Sequence, residues 1–486
     1  MLYIVIPEEF RSGAEELIKL FFPRNGYKFI EKTDILDPND IFISLDINDE
    51  NDKHEIKICL KHEDEILYSE SACIEKKDEC NRIRSQAKVL LYNCLSHYTG
   101  KKLPWGALTG IRPAKIVRSL LNMGLTSDEA YRKLTDYYKL SENKARLTVE
   151  VALNEMGFLK NAEKKVSVYI GIPFCTSRCI YCSFPSVEMS KFGNLVSDYL
   201  EALHKEMQWV AQWIRDRNLE IDTVYIGGGT PTAISESHLD YLLNSVVSVL
   251  PLENIREFTV EAGRPDTLNF EKLNIIRNAG VTRISINPQT MQEKTLKLIG
   301  RNHTASQVFE AFGMARALGF RNINCDLIAG LPDENERDFE ETLARIGELS
   351  PDSVTVHTLS VKRASRLINE MEIIRQTDDE TVNSMVETAG FFLRSMGMHP
   401  YYLYRQKNIL ANLENVGYAK PGCEGIYNIL IMEEVQTILA LGAGASTKIV
   451  YPEENRVERV FNVKNVEQYI RRIDEMIQRK IKLLDT

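Results

Sequence analysis

The sequence predicts an α/β protein, built on a partial (β/α)6 barrel with an α+β domain before it and a mainly helical region after it. Three observations carry this. From Val166 six short apolar runs, "VSVYIGI", "TVYIG", "EFTVEA", "RISIN", "NINCDLI" and "SVTVHTL", alternate with amphipathic stretches such as "NLVSDYLEALHKEMQWVAQWIRD" and "ERDFEETLARIGEL". Apolar strands separated by single helices imply a parallel sheet, and six units are too few to close an eight-stranded barrel, so an open one is expected. Ahead of this run strands and helices mix at shorter intervals, and behind it the rhythm loosens.

Taken in order, residues 1–100 hold the strand "LYIVI", a helix over "EEFRSGAEELIKLFF", the strands "IFISLDI", "HEIKICLKH" and "EILYSESA", and an amphipathic run from Cys80 to His97. This is the pattern of a small α+β domain. A helical connector over residues 101–165 opens with "LPWGALTGIRPAKIV", where Pro104, Gly106 and Gly110 are turn residues and Pro113 suits the first position of a helix. Three helical patterns follow to Leu159. The barrel spans residues 166–375, with chemistry expected at the C-terminal ends of its strands. Residues 376–486 read as helices with short strands, among them "LALGAGAST", and are expected to cover the pocket.

A chain of 486 residues has room for two or three domains. Hydrophobic residues at 44% and charged residues at 27% are ordinary for a folded globular protein, and no low-complexity tract marks disorder. The net charge of -9 argues against nucleic acid as the main partner. The opening "MLYIVIPEEF" has no basic flank and reads as a first strand, not a signal peptide. No apolar run reaches the roughly 18 residues that a membrane span needs, so no membrane partner is expected and the expected location is cytoplasmic.

Nine cysteines are an odd number for a disulfide framework, and Cys59, Cys73, Cys80, Cys94, Cys325 and Cys423 are scattered. The other three are not. In "FCTSRCIYC", Cys175, Cys179 and Cys182 form a Cys-x-x-x-Cys-x-x-Cys array in the loop leaving the first barrel strand. Thiolates favour zinc, copper(I) or iron–sulfur clusters. A structural zinc site asks for a fourth ligand close by, and the next histidine, His204, lies well inside the following helix. Three cysteines on a [4Fe–4S] cube leave one iron free for a small molecule. Three buried apolar cysteines, or zinc, are the plainer alternatives.

"GGGTPT", Gly227 to Thr232, follows the second barrel strand. Glycines there let backbone N–H groups approach a polar ligand, or simply make a tight turn into the next helix. Glu261 ends the third strand in "VEAGRPD", Gln289 follows the fourth in "INPQTMQ", Arg301 sits in "IGRNHT", and Asp326 lies on the fifth in "NCDLIAGLP". Singly, Gln289 and Arg301 read as surface or capping residues. Four polar residues near successive C-terminal strand ends instead converge on one pocket.

With these motifs in register the chain resembles the radical S-adenosylmethionine (SAM) enzymes, whose hallmark is this cysteine triad with an aromatic before its last member, here Tyr181. The resemblance covers about Val166 to Arg366, with an echo in "NVGYAKPGCEGIYNILIM" and "LGAGAST". It implies that Cys175, Cys179 and Cys182 hold one [4Fe–4S] cluster. By resemblance to the oxygen-independent coproporphyrinogen III oxidase group, Tyr169, Tyr181, Gly228, Gly229, Thr230, Glu261, Gln289, Arg301 and Asp326 bind SAM, as one or two molecules. The "YIGIPFC" opening, "GALTGIRPAK" and the extra N-terminal domain look most like the coproporphyrinogen dehydrogenase branch called HemZ. That likeness implies oxidative decarboxylation of two propionates of coproporphyrinogen III to vinyl groups, giving protoporphyrinogen IX in haem biosynthesis. It also implies an electron donor such as a flavodoxin or ferredoxin.

The chain departs from the better-characterised oxidases at Gly171, where they have His, at Phe184, where they have a further cysteine, and at Tyr427-Asn428, where they have His-Asn. Relatives that keep the cluster and bind haem without decarboxylating give a second reading, a haem-trafficking protein with His303 or His357 as ligand. A radical SAM enzyme acting on RNA is a third, against which the acidic balance speaks. For a substrate with four carboxylates, Arg112, Lys115, Arg363, Arg366 and Arg405 are the available cations, most of them expected on solvated faces.

Overall fold

The structure, a computed structural model, describes residues 1–23, 26–31, 40–50, 52–63, 65–75, 80–110, 112–162, 165–362, 365, 367, 378–407, 409–454 and 456–484. They fall into two compact units, Met1–Glu150 and Val151–Thr486.

The first unit holds strands β1 (Leu2–Val5), β2 (Tyr27–Phe29), β3 (Ile41–Glu50), β4 (Lys53–His62) and β5 (Glu65–Glu75), ordered β2-β1-β3-β4-β5, with helices α1 (Glu8–Phe21) and α2 (Cys80–Thr99). Parallel pairing of β1 with β2 needs a crossover, which α1 supplies, whereas β3, β4 and β5 pair as antiparallel hairpins. Alternate residues of β3 and β4 (Ile43, Leu45, Ile56, Ile58) meet one stripe of each helix (Leu17, Ile18, Leu90, Leu95) in the core. Three further helices follow, α3 (Pro113–Asn122), α4 (Ser127–Arg132) and α5 (Glu142–Glu155). Pro113 stands at the start of α3, where its missing N–H leaves no bond unmade, and Thr126 with Glu129 forms a capping box on α4.

The second unit contains every expected barrel strand. They are β6 (Lys165–Ile172), β9 (Glu220–Gly228), β10 (Glu257–Glu261), β11 (Arg283–Ser285), β12 (Ile323–Ala329) and β13 (Ser353–Thr358), with the short pair β7 (Phe174–Cys175) and β8 (Val187–Glu188) beside β6. Neighbours run parallel, and the intervening helices are α6 (Met189–Phe192), α7 (Val196–Asp216), α8 (Glu236–Val249), α9 (Phe270–Asn278), α10 (Glu293–Leu298), α11 (Ala305–Ala317) and α12 (Glu336–Leu349).

The C-terminal region supplies helices α13 (Asp379–Ser395), α14 (Ile426–Glu433), α15 (Val466–Arg471) and α16 (Ile473–Leu484). It also supplies strands β14 (His399–Tyr404), β15 (Asn415–Ala419), β16 (Thr437–Leu441), β17 (Ser446–Tyr451) and β18 (Arg456–Phe461), all of which join the barrel sheet. The order is β14-β15-β13-β12-β11-β10-β9-β6-β16-β17-β18, so β15 covers the β13 edge antiparallel and β16 covers the β6 edge parallel. Without them both edges of the six-stranded core would present unpaired N–H and C=O groups.

The last helix is held by a buried ion pair, Lys480 Nζ to Glu206 Oε1 at 2.5 Å. Glu206 of α7 also accepts from Gly442 N at 2.9 Å, Asn462 Nδ2 at 2.8 Å and the Tyr469 hydroxyl at 2.5 Å. These bonds tie α16, α15 and the turn after β16 to one carboxylate. Removing one partner of such a pair leaves a buried charge uncompensated, at a cost of about 3–5 kcal/mol. Lys480→Met is therefore expected to lower unfolding stability by that order in a urea titration, and an unchanged midpoint would show that the pair adds nothing.

Candidate active site

Strand periodicity builds the site. On the C-terminal halves of the barrel strands, alternate side chains face inward: Tyr169 and Gly171 on β6, Thr259 and Glu261 on β10, Asn324 and Asp326 on β12, Thr355 and His357 on β13. They line a cavity of about 550 Å³, within the range of small-molecule and cofactor sites.

The cysteine loop forms one wall. Its entry is pinned to β9, with Gly229 N donating to Ile172 O at 2.7 Å and Thr230 N to Phe174 O at 2.8 Å. Glycine is required at this crossing, because a Cβ at 229 would stand 2.8 Å from Phe174 O and 3.0 Å from Cys175 Sγ, and Gly228 has φ +111°. The Thr230 hydroxyl reaches Cys175 Sγ at 3.5 Å. Further along, Cys182 N donates to Cys179 O at 3.1 Å and Ile180 N to Ile299 O at 3.1 Å. Arg264 clamps the middle of the loop: its Nη1 bonds Ser177 O and Oγ, each at 3.0 Å, while Nη2 pairs with Asp266 at 3.0 Å. Arg264 lies in the quoted "VEAGRPD" but escaped the sequence reading, since nothing local distinguishes a buried clamp from a solvated arginine.

Of the residues singled out from the sequence, Tyr169, Tyr181, Cys182, Gly228, Glu261, Gln289 and Asp326 line the cavity. Cys175 and Cys179 are buried behind it, with Gly229 and Thr230 packed on Cys175. Arg301 is also buried behind the wall: its Nη1 donates to Asn287 O at 2.5 Å and Gly263 O at 3.2 Å, and its guanidinium also meets the Tyr181 hydroxyl and the Cys179 thiol. Burial works to lower the Arg301 pKa, and those two acidic groups outweigh it and raise it.

Glu261 accepts from the Tyr225 hydroxyl at 2.6 Å, yet burial, with Asp326 nearby, pushes its pKa up to about 7. Desolvation works to raise the pKa of half-buried Asp326, but the nearby His357 and a hydrogen bond from Asn324 Nδ2 at 2.8 Å hold it below the usual carboxylate range. Gln289 occupies a left-handed conformation, φ +70°, fixed by Gln289 N to Asp326 O at 2.9 Å and Ile328 N to Gln289 O at 3.0 Å. Its buried Oε1 has no hydrogen-bond partner, so the residue combines backbone strain with an unmet acceptor at the cavity wall.

Among the further lining residues, Tyr225 was not foreseen. Tyr169, Tyr225 and Tyr427 stack, with ring centroids 6.2 Å (Tyr169 to Tyr225), 4.6 Å (Tyr225 to Tyr427) and 6.2 Å (Tyr169 to Tyr427) apart. Tyr427 enters from α14, whose first N–H groups donate to the buried Glu257 carboxylate at 2.7 and 3.2 Å. Tyr225 was legible in principle, two residues before Gly227 on the inward face of β9. Tyr427 was singled out only as a departure from the oxidase pattern, and nothing local marks its place in the stack. The positions that depart from the oxidase pattern, Gly171, Phe184, Tyr427 and Asn428, all line the cavity.

His357 lines it as well, with Nδ1 3.3 Å from the Tyr404 hydroxyl and Nε2 3.9 Å from Asp326. His303 does not: it is 2% exposed, and burial followed by Arg301 lowers its pKa to about 3, so the ring is neutral. Arg405 points away, bonded to Asn412, with burial lowering its pKa to about 10. Arg112 and Lys115 belong to the first unit, and Arg363 and Arg366 lie outside the described residues.

The Radical SAM superfamily profile matches residues 169–346. Over 459 residues the chain is 39% identical to the oxygen-independent coproporphyrinogen-III oxidase-like protein HemZ of Bacillus subtilis, covering 92% of this chain and 91% of that protein. The chain belongs to the radical SAM superfamily, in its oxygen-independent coproporphyrinogen-III oxidase-like group. It is also 33% identical to the heme chaperone HemW of Bacillus subtilis over 64% of this chain and 76% of that protein. The solved structure of coproporphyrinogen III oxidase (HemN) from Escherichia coli, a radical SAM enzyme, aligns with a TM-score of 0.52 at 21% identity, covering 67% of this chain and 73% of that one. That last likeness bears on the fold.

Radical SAM membership brings a [4Fe–4S] cluster and SAM as cofactors and supports an enzyme of oxidoreductase type. The donor set fits such a cluster. Among the described residues no group of three or more His, Cys, Asp or Glu side chains is arranged to hold a single metal ion. A cube asks for a different arrangement, because each thiolate takes its own iron and the sulfurs surround a volume instead of a point. The three thiols are unbridged, share one short loop and lie within electrostatic range of one another. Because Arg264 clamps that loop, Arg264→Ala is expected to speed amide exchange across residues 176–182 in mass-resolved hydrogen exchange, while α8 and α9 stay protected. Equal protection of the loop in both proteins would remove Arg264 from this role.

Proposed function

We propose that this protein is an oxygen-independent coproporphyrinogen III dehydrogenase, converting two propionates to vinyl groups to give protoporphyrinogen IX. In this reading Cys175, Cys179 and Cys182 are the cluster ligands, and Tyr169, Tyr181, Gly228, Gly229, Thr230, Glu261, Gln289, Arg301 and Asp326 form the SAM site. The observation that carries it is the likeness to HemZ over 92% of the chain, well beyond the barrel alone. Each propionate gives up a hydrogen atom from its β-carbon, a molecule of carbon dioxide and one electron, and the electron passes to an acceptor outside the chain. When bound, the cluster and SAM supply the one-electron chemistry of hydrogen abstraction. Reduction of the cluster calls for a donor such as a flavodoxin or ferredoxin.

The chain's own residues do the positioning. Glu261, once ionised, offers a carboxylate to the cationic SAM, and Gln289 Oε1 offers an unfilled acceptor. The tyrosine stack gives the cavity a flat aromatic wall suited to pyrrole rings. With glycine at 171, groups at the cavity able to carry a proton include Glu261, His357, Lys362 and the tyrosine hydroxyls, and the Gly171 carbonyl is held by Tyr199 at 2.5 Å. A second reading, haem binding without decarboxylation, draws on His357, whose imidazole faces the cavity, and on the likeness to HemW.

Two experiments test these assignments. The reconstituted, reduced protein, supplied anaerobically with SAM and coproporphyrinogen III, is expected to form protoporphyrin and 5′-deoxyadenosine together, and Cys182→Ala to form neither. Absence of both products in the native protein, with haem retained in a titration and lost in His357→Ala, would favour the haem-binding reading. The second concerns pH. Because the folded Glu261 pKa is raised, the group is protonated below about 7 and loses its charge as pH falls. SAM affinity is therefore expected to rise from pH 6 to 8, by at most about tenfold per unit below the pKa. Glu261→Gln should flatten that slope in equilibrium dialysis, and an unchanged slope removes Glu261 from the SAM site.

A further inference from the structure

A tetrapyrrole with propionate arms brings several negative charges into a cavity whose wall already holds two carboxylates, Glu261 and Asp326. The rest of the polar lining is mostly uncharged: hydroxyls of tyrosine, serine and threonine, and side-chain amides. Anionic arms therefore need a cation that the protein has not already neutralised.

The cations facing the cavity differ in this respect. Arg283 Nη1 donates to Asn322 Oδ1 at 2.6 Å and Cys423 O at 2.8 Å, and its charge sits beside Glu257. Lys448 pairs with Glu434 at 3.5 Å and bonds Ile431 O at 3.2 Å. Lys362 is different. It follows β13 on the cavity wall, half-buried, and its ammonium makes no hydrogen bond or ion pair with any described residue. The Cys182 thiol lines the same cavity and lies near it, which places Lys362 toward the cysteine loop. A half-buried ammonium without a partner among the described residues is poorly solvated there and is stabilised by an anion that reaches it.

We infer that Lys362 is the carboxylate-recognising residue of the cavity, taking one propionate of the tetrapyrrole and so orienting the arm nearest the cysteine loop. The inference rests on the tetrapyrrole reading above and adds a specificity-determining residue to it. The carboxylate of SAM has the same chemistry as a propionate, so the test must separate the two sources. The SAM-facing residues lie on β6 to β12 and the turns that follow them, whereas Lys362 lies beyond β13, which favours the substrate.

The test is a fluorescence titration of the anaerobically reconstituted full chain with coproporphyrin III and with its uncharged tetramethyl ester. SAM binding is measured in parallel by equilibrium dialysis. Lys362→Gln is expected to weaken the tetra-acid about tenfold, the scale of one partly screened charge-assisted hydrogen bond, and to leave the ester and SAM unchanged. Lys362→Arg should restore most of the loss. If the native protein binds the tetra-acid and Lys362→Gln binds it equally well, the assignment falls and the tetrapyrrole reading stands. If SAM affinity falls instead, the lysine serves the cofactor and the assignment falls. If the native protein binds neither porphyrin, both fall together.

Discussion

The site depends on the close approach of two backbones, Ile172–Cys175 leaving the first barrel strand and Gly228–Thr230 leaving the second. Two hydrogen bonds under 3 Å join them, and a side chain at 229 would collide with the Phe174 carbonyl. That contact aims the cysteine loop across the C-terminal face of the sheet instead of away from it. Arg264, after β10, and the turn at Ile299–Gly300, between α10 and α11, then hold the loop's far side, so its position is set by three separate connections. A loop carrying three thiolates can keep a defined shape only if its backbone is secured in this way.

Around that loop the chain accepts local costs that a purely structural core would avoid. Glu261 is half-buried with a pKa near neutrality, Gln289 holds a left-handed backbone with an acceptor unmet among the described residues, and Lys362 lacks a counter-ion among them. Such violations cluster where a ligand is to complete the bonding. The groups around them are, by contrast, well paired: Tyr225 to Glu261, Asn324 to Asp326, Glu257 to the start of α14. Gln289 and Lys362 are thus left for a ligand to complete at the cavity wall, while these pairs hold the elements that carry it.

The C-terminal region completes the cavity by extending the sheet. β15 and β16 pair with the two outer barrel strands, and the segments that follow them bring Tyr427, Ala443 and Gly444 to the wall. The buried Glu206 collects α15, α16 and the turn at Gly442 onto α7, coupling the end of the chain to the cavity through one carboxylate. The residues in which this chain departs from the oxidase pattern meet at that wall, which is where a difference in substrate handling would be built.

The sequence by itself determined the six parallel strands, the cysteine array, the glycine-rich turn and the acidic strand ends, because each is written in local periodicity or in spacing along a few residues. Alternation of period two also made Glu261 and Asp326 inward-facing once their strands were recognised. Only the tertiary structure decided which strands close the sheet edges, that Arg264 clamps the loop, that Tyr427 stacks on Tyr225, and that His357 and not His303 faces the cavity. Those facts depend on contacts between residues far apart in the chain, where a short apolar run or a single charged side chain looks the same whether it pairs with a distant partner or faces water.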